Sequence, residues 1–127
     1  MTENHKHEYG DGWIGVDLDG TLAEYHGWMG PDHIGAPIMA MVDRVRRWLD
    51  KGKDVRIFTA RVSAPPSGKA DYPARAVKAI HAFCIEHFGR PLVVTNVKDY
   101  LMVELWDDRC VQVKYNDGTP IGDDFEG

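Results

Sequence analysis

Gly12-Trp13-Ile14-Gly15-Val16-Asp17-Leu18-Asp19-Gly20-Thr21 is the stretch on which the reading of the chain turns. It is a short apolar run that ends in an acid and meets the turn former Gly20, the pattern of a buried strand handing its C-terminal end to a loop. Residues 22–36, rich in Gly, Pro and aromatics, then read as a loop long enough to suggest function. From Pro37, Ile38, Met41, Val42, Val45, Trp48 and Leu49 recur at spacings of three and four, which predicts an amphipathic helix ending near Gly52. Residues 54–59 alternate β-branched and aromatic side chains and read as a second strand, followed by a loop with Pro65, Pro66 and Gly68. Residues 73–88 open with Pro and put Val77, Ile80, His81, Cys84, Ile85 and Phe88 on one face, a second helix closed by Gly89. Residues 92–95 form a third strand, and 101–106 and 110–113 are two more short apolar runs on either side of Asp107-Asp108-Arg109. Strands alternating with helices predict an α/β domain with a mostly parallel central sheet.

Composition bounds the rest. The 127 residues are 43% apolar, enough for one domain with one real core, expected over 12–127 behind a polar N-terminal arm of 1–11. The 13 Gly and 7 Pro are scattered without period, which excludes a collagenous or low-complexity chain, and 4 Trp, 5 Tyr and 4 Phe exclude disorder. With 20 acids against 15 bases the net charge is −5, so no chain-wide basic field exists to hold a nucleic acid nonspecifically. Cys84 and Cys110 offer neither CxxC nor a disulfide framework, which fits a reducing compartment. No apolar run approaches the roughly 20 residues of a membrane span and no signal-peptide core is visible, so the expectation is a soluble, cytoplasmic protein without a membrane partner. His5 and His7 in the arm lack a third ligand nearby and are read as a solvated tail.

In an open parallel sheet, ligands bind outside the carboxyl ends of the strands, so polar residues there carry more functional weight than elsewhere. Three such ends carry chemistry: Asp17-Leu18-Asp19-Gly20-Thr21, Thr59-Ala60-Arg61 and Asp107-Asp108-Arg109, with Lys98 just beyond the third strand. Asp-x-Asp-Gly alone is an ordinary polar turn. It does not open a calcium loop of the EF-hand kind, which would want an acid or Asn, a Gly and a Glu where this chain has Thr21, Leu22 and Trp28. What sets it apart is the coincidence of Thr59, Lys98 and Asp107-Asp108 at matching ends of later strands. The four carboxylates of Asp17, Asp19, Asp107 and Asp108 on one rim would repel without a cation, and hard oxygen donors suit Mg²⁺.

Asp17-Leu18-Asp19-Gly20-Thr21-Leu22 resembles the first motif of the haloacid dehalogenase-like phosphatase superfamily, and Thr59, Lys98 and Asp107-Asp108 follow as its second, third and fourth motifs. The resemblance covers about residues 12–113 and implies a Rossmann-like domain that hydrolyses phosphomonoesters with Mg²⁺. It implies Asp17 as the nucleophile that forms an aspartyl-phosphate and Asp19 as the acid, then base, that serves the leaving oxygen and the attacking water. Gly20 and Thr21 would line the phosphate, Thr59 would donate to a phosphate oxygen, and Lys98 would pair with Asp17 and the phosphate. Metal ligands would be Asp17, the backbone carbonyl of Asp19 and the Asp107-Asp108 pair. Thr59-Ala60-Arg61 with Asp107-Asp108-Arg109 is also similar to the 3′-phosphatase domain of phage-type polynucleotide kinase-phosphatases, which favours Asp108 as the direct ligand.

Arg61 is either a second phosphate contact and substrate clamp or a surface arginine, and Arg109 either anchors its loop or pairs with an acid. Family members insert cap domains after the first or third strand; here 22–36 is short and 95–98 leaves no room, so the site is expected to be capless. An open site admits a phosphate on a large molecule such as a nucleic-acid end, or requires a partner subunit, such as a second copy of the chain in a homo-oligomer, to cover a small phosphomonoester such as a nucleotide. Trp28, Met29 and His33 either form a flap that stacks a base or sugar or pack on their own domain, and Lys69 and Tyr72 lie on the same rim. The alternatives from other classes are a receiver-like signalling domain, whose phosphoacceptor would usually sit on the third strand, and a non-catalytic domain that binds phosphate and Mg²⁺.

Overall fold

A computed structural model describes residues 11–65 and 67–123. His5, His7 and most of the expected N-terminal arm lie outside them. The alternation seen in the sequence sets the sheet: Ile14 and Val16 of β1 (Trp13–Asp17), with Val55 and Ile57 of β2 (Asp54–Phe58), turn into the main core, while Trp13, Gly15 and Arg56 alternate to the other face. Two short strands complete it, β3 (Val94–Thr95) and β4 (Met102–Trp106), in the order β3-β2-β1-β4 with every pairing parallel. The mostly parallel expectation thus becomes an all-parallel, Rossmann-like sheet, and its carboxyl ends all meet at one edge of the molecule.

Two helices cover the core. Helix α1 (Met39–Asp50) buries Met41, Val42 and Val45, with Ile38, Trp48 and Leu49 packed alongside, the face its spacing predicts. Helix α2 (Tyr72–Phe88) opens with Pro73 in its first turn and closes on Gly89 at φ +77°, as expected. Its buried face agrees with the predicted one in part: Ile80 and Cys84 are buried and Phe88 packs against the core as expected, but Ala76 and Phe83 complete the buried face and Ile85 is 53% exposed. Both faces satisfy the helical period, and Phe83 is among the residues buried in the core.

The run 110–113 is not a strand of the sheet. It is exposed, and among the described residues it pairs with residues 120 and 121 through the isolated bridge of Val113 with Pro120 and the Ile121 N–H donating to the Gln112 carbonyl at 2.7 Å. β4 ends at Trp106 with Asp107-Asp108-Arg109 turning away, so nothing aligns the following residues with an edge. Cys84 and Cys110 are both free. Among the described residues no helix is long and apolar enough to cross a membrane.

Candidate active site

β1 lies between β2 and β4, so its terminal Asp17 comes out flanked by Thr59 and Asp107, each the residue that follows its strand. Carboxylate oxygens of Asp17, Asp107 and Asp108 lie within 4.8 Å of one another. The turn after β1 is built to bring Asp108 in. Gly20 takes φ +85°, and a Cβ there would stand 2.7 Å from Asp108 Oδ2. Thr21 Oγ1 accepts from the Asp108 N–H at 3.1 Å, while its own hydroxyl lies 3.2 Å from Asp108 Oδ1 and 3.4 Å from Asp17 Oδ2. Thr21 therefore fastens the acids to one another.

The acids are electrostatically crowded. Burial first, then a hydrogen bond to Asp108 and the charges of Asp107, Asp108 and Asp19, push the Asp17 carboxyl from 3.8 up to about 8. Oxygens around one Mg²⁺ stand about 3–4 Å apart, so the cluster closes on such an ion with small side-chain shifts. The donor set fits: three carboxylates, with no imidazole among them. The nearby Cys110 thiol is held above its usual range by partial burial and by the charges of Asp107, Asp17 and Asp108, which keeps it a neutral neighbour and not a thiolate ligand.

Asp19 does not join the cluster with its side chain, a correction to the four converging carboxylates. Its oxygens accept from Arg61 Nε at 2.8 Å and Nη2 at 2.7 Å, a bidentate ion pair with the Arg61 side chain only 6% exposed. Arg61 also donates through Nη1 to the His33 carbonyl at 2.6 Å, and its guanidinium lies over the Trp28 ring at 5.1 Å. Of the two readings of Arg61, the surface arginine is excluded. Thr59, 3% exposed, accepts at Oγ1 from the Arg61 N–H and caps the 3₁₀ turn Ala60–Val62. That bond uses an oxygen lone pair and leaves the hydroxyl proton to donate into the cavity.

Lys98 stands outside ion-pair distance of Asp17, Asp107 and Asp108 but on their side of the molecule. It is exposed on the link 96–101, which runs on to β4 without a helix and is held by Trp13, whose indole donates to Asp99 at 2.8 Å. Lys98 makes no ion pair among the described residues, although its charge is felt at Cys110 and so lies on the same side of the molecule. Arg109 also lacks an ion pair among the described residues; its N–H donates to Asp107 Oδ1 at 2.8 Å and turns the loop, while the residue lines the cavity.

That cavity, about 660 Å³, is lined by Asp17, Asp19, Gly20, Thr59, Arg61 and Asp108 on the polar side and by Tyr25, Trp28, Tyr72, Lys69 and Arg109 beyond them. Tyr25, Ser63 and Ala64 are lining residues the sequence did not single out; the only signal for Tyr25 was membership of the aromatic-rich loop. The loop is a closed lobe: Glu24 N–H donates to the Ala36 carbonyl, Ala23 bridges Pro37, and Asp32 pairs with Arg75 of α2. Met29 stands 62% exposed on it. No family model, curated protein or solved structure matches the chain.

Proposed function

We propose that this protein is a Mg²⁺-dependent phosphomonoester hydrolase working through an aspartyl-phosphate on Asp17. The observation that carries the reading is the Asp17, Asp107 and Asp108 cluster within 4.8 Å, at the end of an inner strand of a parallel sheet, with Asp17 and Asp108 lining the cavity that also takes Thr59 and Asp19. When bound by Asp17, Asp107 and Asp108, Mg²⁺ would supply the positive charge that lets a carboxylate and a phosphate dianion approach.

The chain's own residues have distinct tasks in this reading. Asp17 Oδ attacks phosphorus in line, the P–O bond to the leaving group breaks, and the phosphoryl group resides on Asp17 until water attacks it. Thr59 donates its free hydroxyl proton to a phosphate oxygen. Asp19 must first leave Arg61 and take up a proton from solvent; it then gives that proton to the leaving oxygen and later takes one from the attacking water. A phosphate competes for the same guanidinium fork with equal geometry, so its arrival exchanges one oxyanion for another on Arg61 and frees Asp19. The Asp19–Arg61 pair equally favours a second reading, a domain that binds phosphate and Mg²⁺ without turnover.

Phosphate release with and without Mg²⁺ from p-nitrophenyl phosphate, deoxynucleoside monophosphates and a 3′-phosphorylated oligonucleotide separates the two. The hydrolase reading expects Mg²⁺-dependent release that falls by about a thousandfold or more in Asp17→Asn. Binding of phosphate with no release from any of these substrates would favour the second reading.

A further inference from the structure

The acids account for one side of the cavity only. Beyond them Trp28 and Tyr72 meet with ring centroids 6.4 Å apart and planes tilted by 40°, and Trp28 is 51% exposed. The Trp28 ring is already fixed from one side by the Arg61 guanidinium at 5.1 Å, and Arg61 is fixed in turn by Asp19 and the His33 carbonyl. An uncovered indole held rigidly beside a tyrosine, one guanidinium away from an acid of the site, is a surface that gains by stacking a flat heterocycle.

Charge and size narrow the ligand. Lys69 and Arg109 line the cavity and make no ion pair among the described residues. Two available cations suit the few charges of one phosphate ester. A polynucleotide would ask for a row of cations along its backbone, and the chain is net −5. A cavity of about 660 Å³ lies within the range that small ligands of nucleotide size occupy.

We infer that Trp28 and Tyr72 form a nucleobase subsite and that the cavity binds a nucleoside monophosphate in preference to a polynucleotide end or a base-free sugar phosphate. The placement of the phosphate against Asp17 rests on the hydrolase reading; the stacking surface does not.

The test is calorimetric titration of Asp17→Asn protein, which holds ligand without consuming it, with a nucleoside monophosphate, ribose 5-phosphate and a 3′-phosphorylated oligonucleotide. The nucleotide is expected to bind ten- to a hundredfold more tightly than ribose 5-phosphate. Adding Trp28→Ala should erase most of that margin, and adding Tyr72→Ala a smaller part. Trp28 is half exposed, so circular dichroism should show the fold retained; if it does not, the Tyr72→Ala margin and quenching of tryptophan fluorescence by the nucleotide carry the test. Equal binding of nucleotide and ribose 5-phosphate overturns the base subsite, and an oligonucleotide that binds tenfold tighter than the nucleotide overturns the preference. Should the margin appear while unmutated protein with Mg²⁺ releases no phosphate, the subsite stands and the hydrolase reading falls.

Discussion

Arg61 carries both an architectural and a chemical load. Its side chain is 6% exposed with two nitrogens on Asp19, so removing either partner leaves a charge in surroundings that solvate it poorly. Asp19→Ala and Arg61→Ala are each expected to lower unfolding free energy by about 3 kcal/mol in urea titrations, whereas the double variant should lose far less than the sum. Additive losses would mean that the pair is not a unit. Arg61→Lys keeps the charge and loses the fork, so it should retain much of the stability and little of the turnover. Gly20 makes a different demand. Gly20→Ala meets both a φ of +85° and the Asp108 carboxylate at 2.7 Å, so beyond about 1 kcal/mol of backbone strain it displaces a proposed ligand. Mg²⁺-dependent turnover should therefore fall more than tenfold while the melting temperature drops only a few degrees. Unchanged turnover would show that Asp108 need not sit where Gly20 admits it.

Among the elements, those readable from the sequence are the ones whose pattern is one-sided. Val55 and Ile57 alternate with polar Asp54 and Arg56, and Met41, Val42 and Val45 recur against Asp43, Arg44 and Arg46, so one face only can be buried. Helix α2 carries apolar residues nearly all round, and its rotation was fixed by packing that no periodicity contains. The run 110–113 looked like a strand because β-propensity is a property of side chains, while a strand also needs a partner edge in register. The lobe 24–36 was legible as a loop, and its closure was not, since that depends on Gly35. A Cβ on Gly35 would run into the Glu24 carbonyl oxygen, across the base of the lobe. Gly35→Ala is expected to cost about 1–3 kcal/mol, the range for forcing atoms into a packed contact, and to loosen Trp28. Differential scanning fluorimetry reads the first effect and nucleotide-induced quenching of Trp28 the second; a neutral substitution would mean that the base of the lobe is not held shut.

For the molecule as a whole, the candidate site was legible because a parallel sheet sends every strand's carboxyl end to one edge, so Asp17, Thr59 and Asp107 could be placed together from strand ends alone. What the sequence could not show is the direction of side chains beyond those ends: Asp19 turns to Arg61. The clustered acids then couple the site to global stability, with a definite sign. The Asp17 carboxyl ionises near 3.8 when unfolded and near 8 when folded, so between these values the folded protein binds more protons. Without metal, stability should fall as pH rises from about 4 to 8, with the penalty full above 8. Mg²⁺ competes with that proton, so its stabilising effect should grow from pH 5 to pH 9. Above its dissociation constant, each tenfold rise in free Mg²⁺ should add about 1.4 kcal/mol and raise the melting temperature by roughly 3–6 °C. Asp17→Asn should flatten the pH dependence and remove most of the Mg²⁺ response, and Asp108→Asn should weaken that response. Sodium chloride at matched ionic strength separates a site from general screening. If it raises the melting temperature as much as Mg²⁺ does at every pH, the acids are merely being shielded and the proposed metal role is wrong.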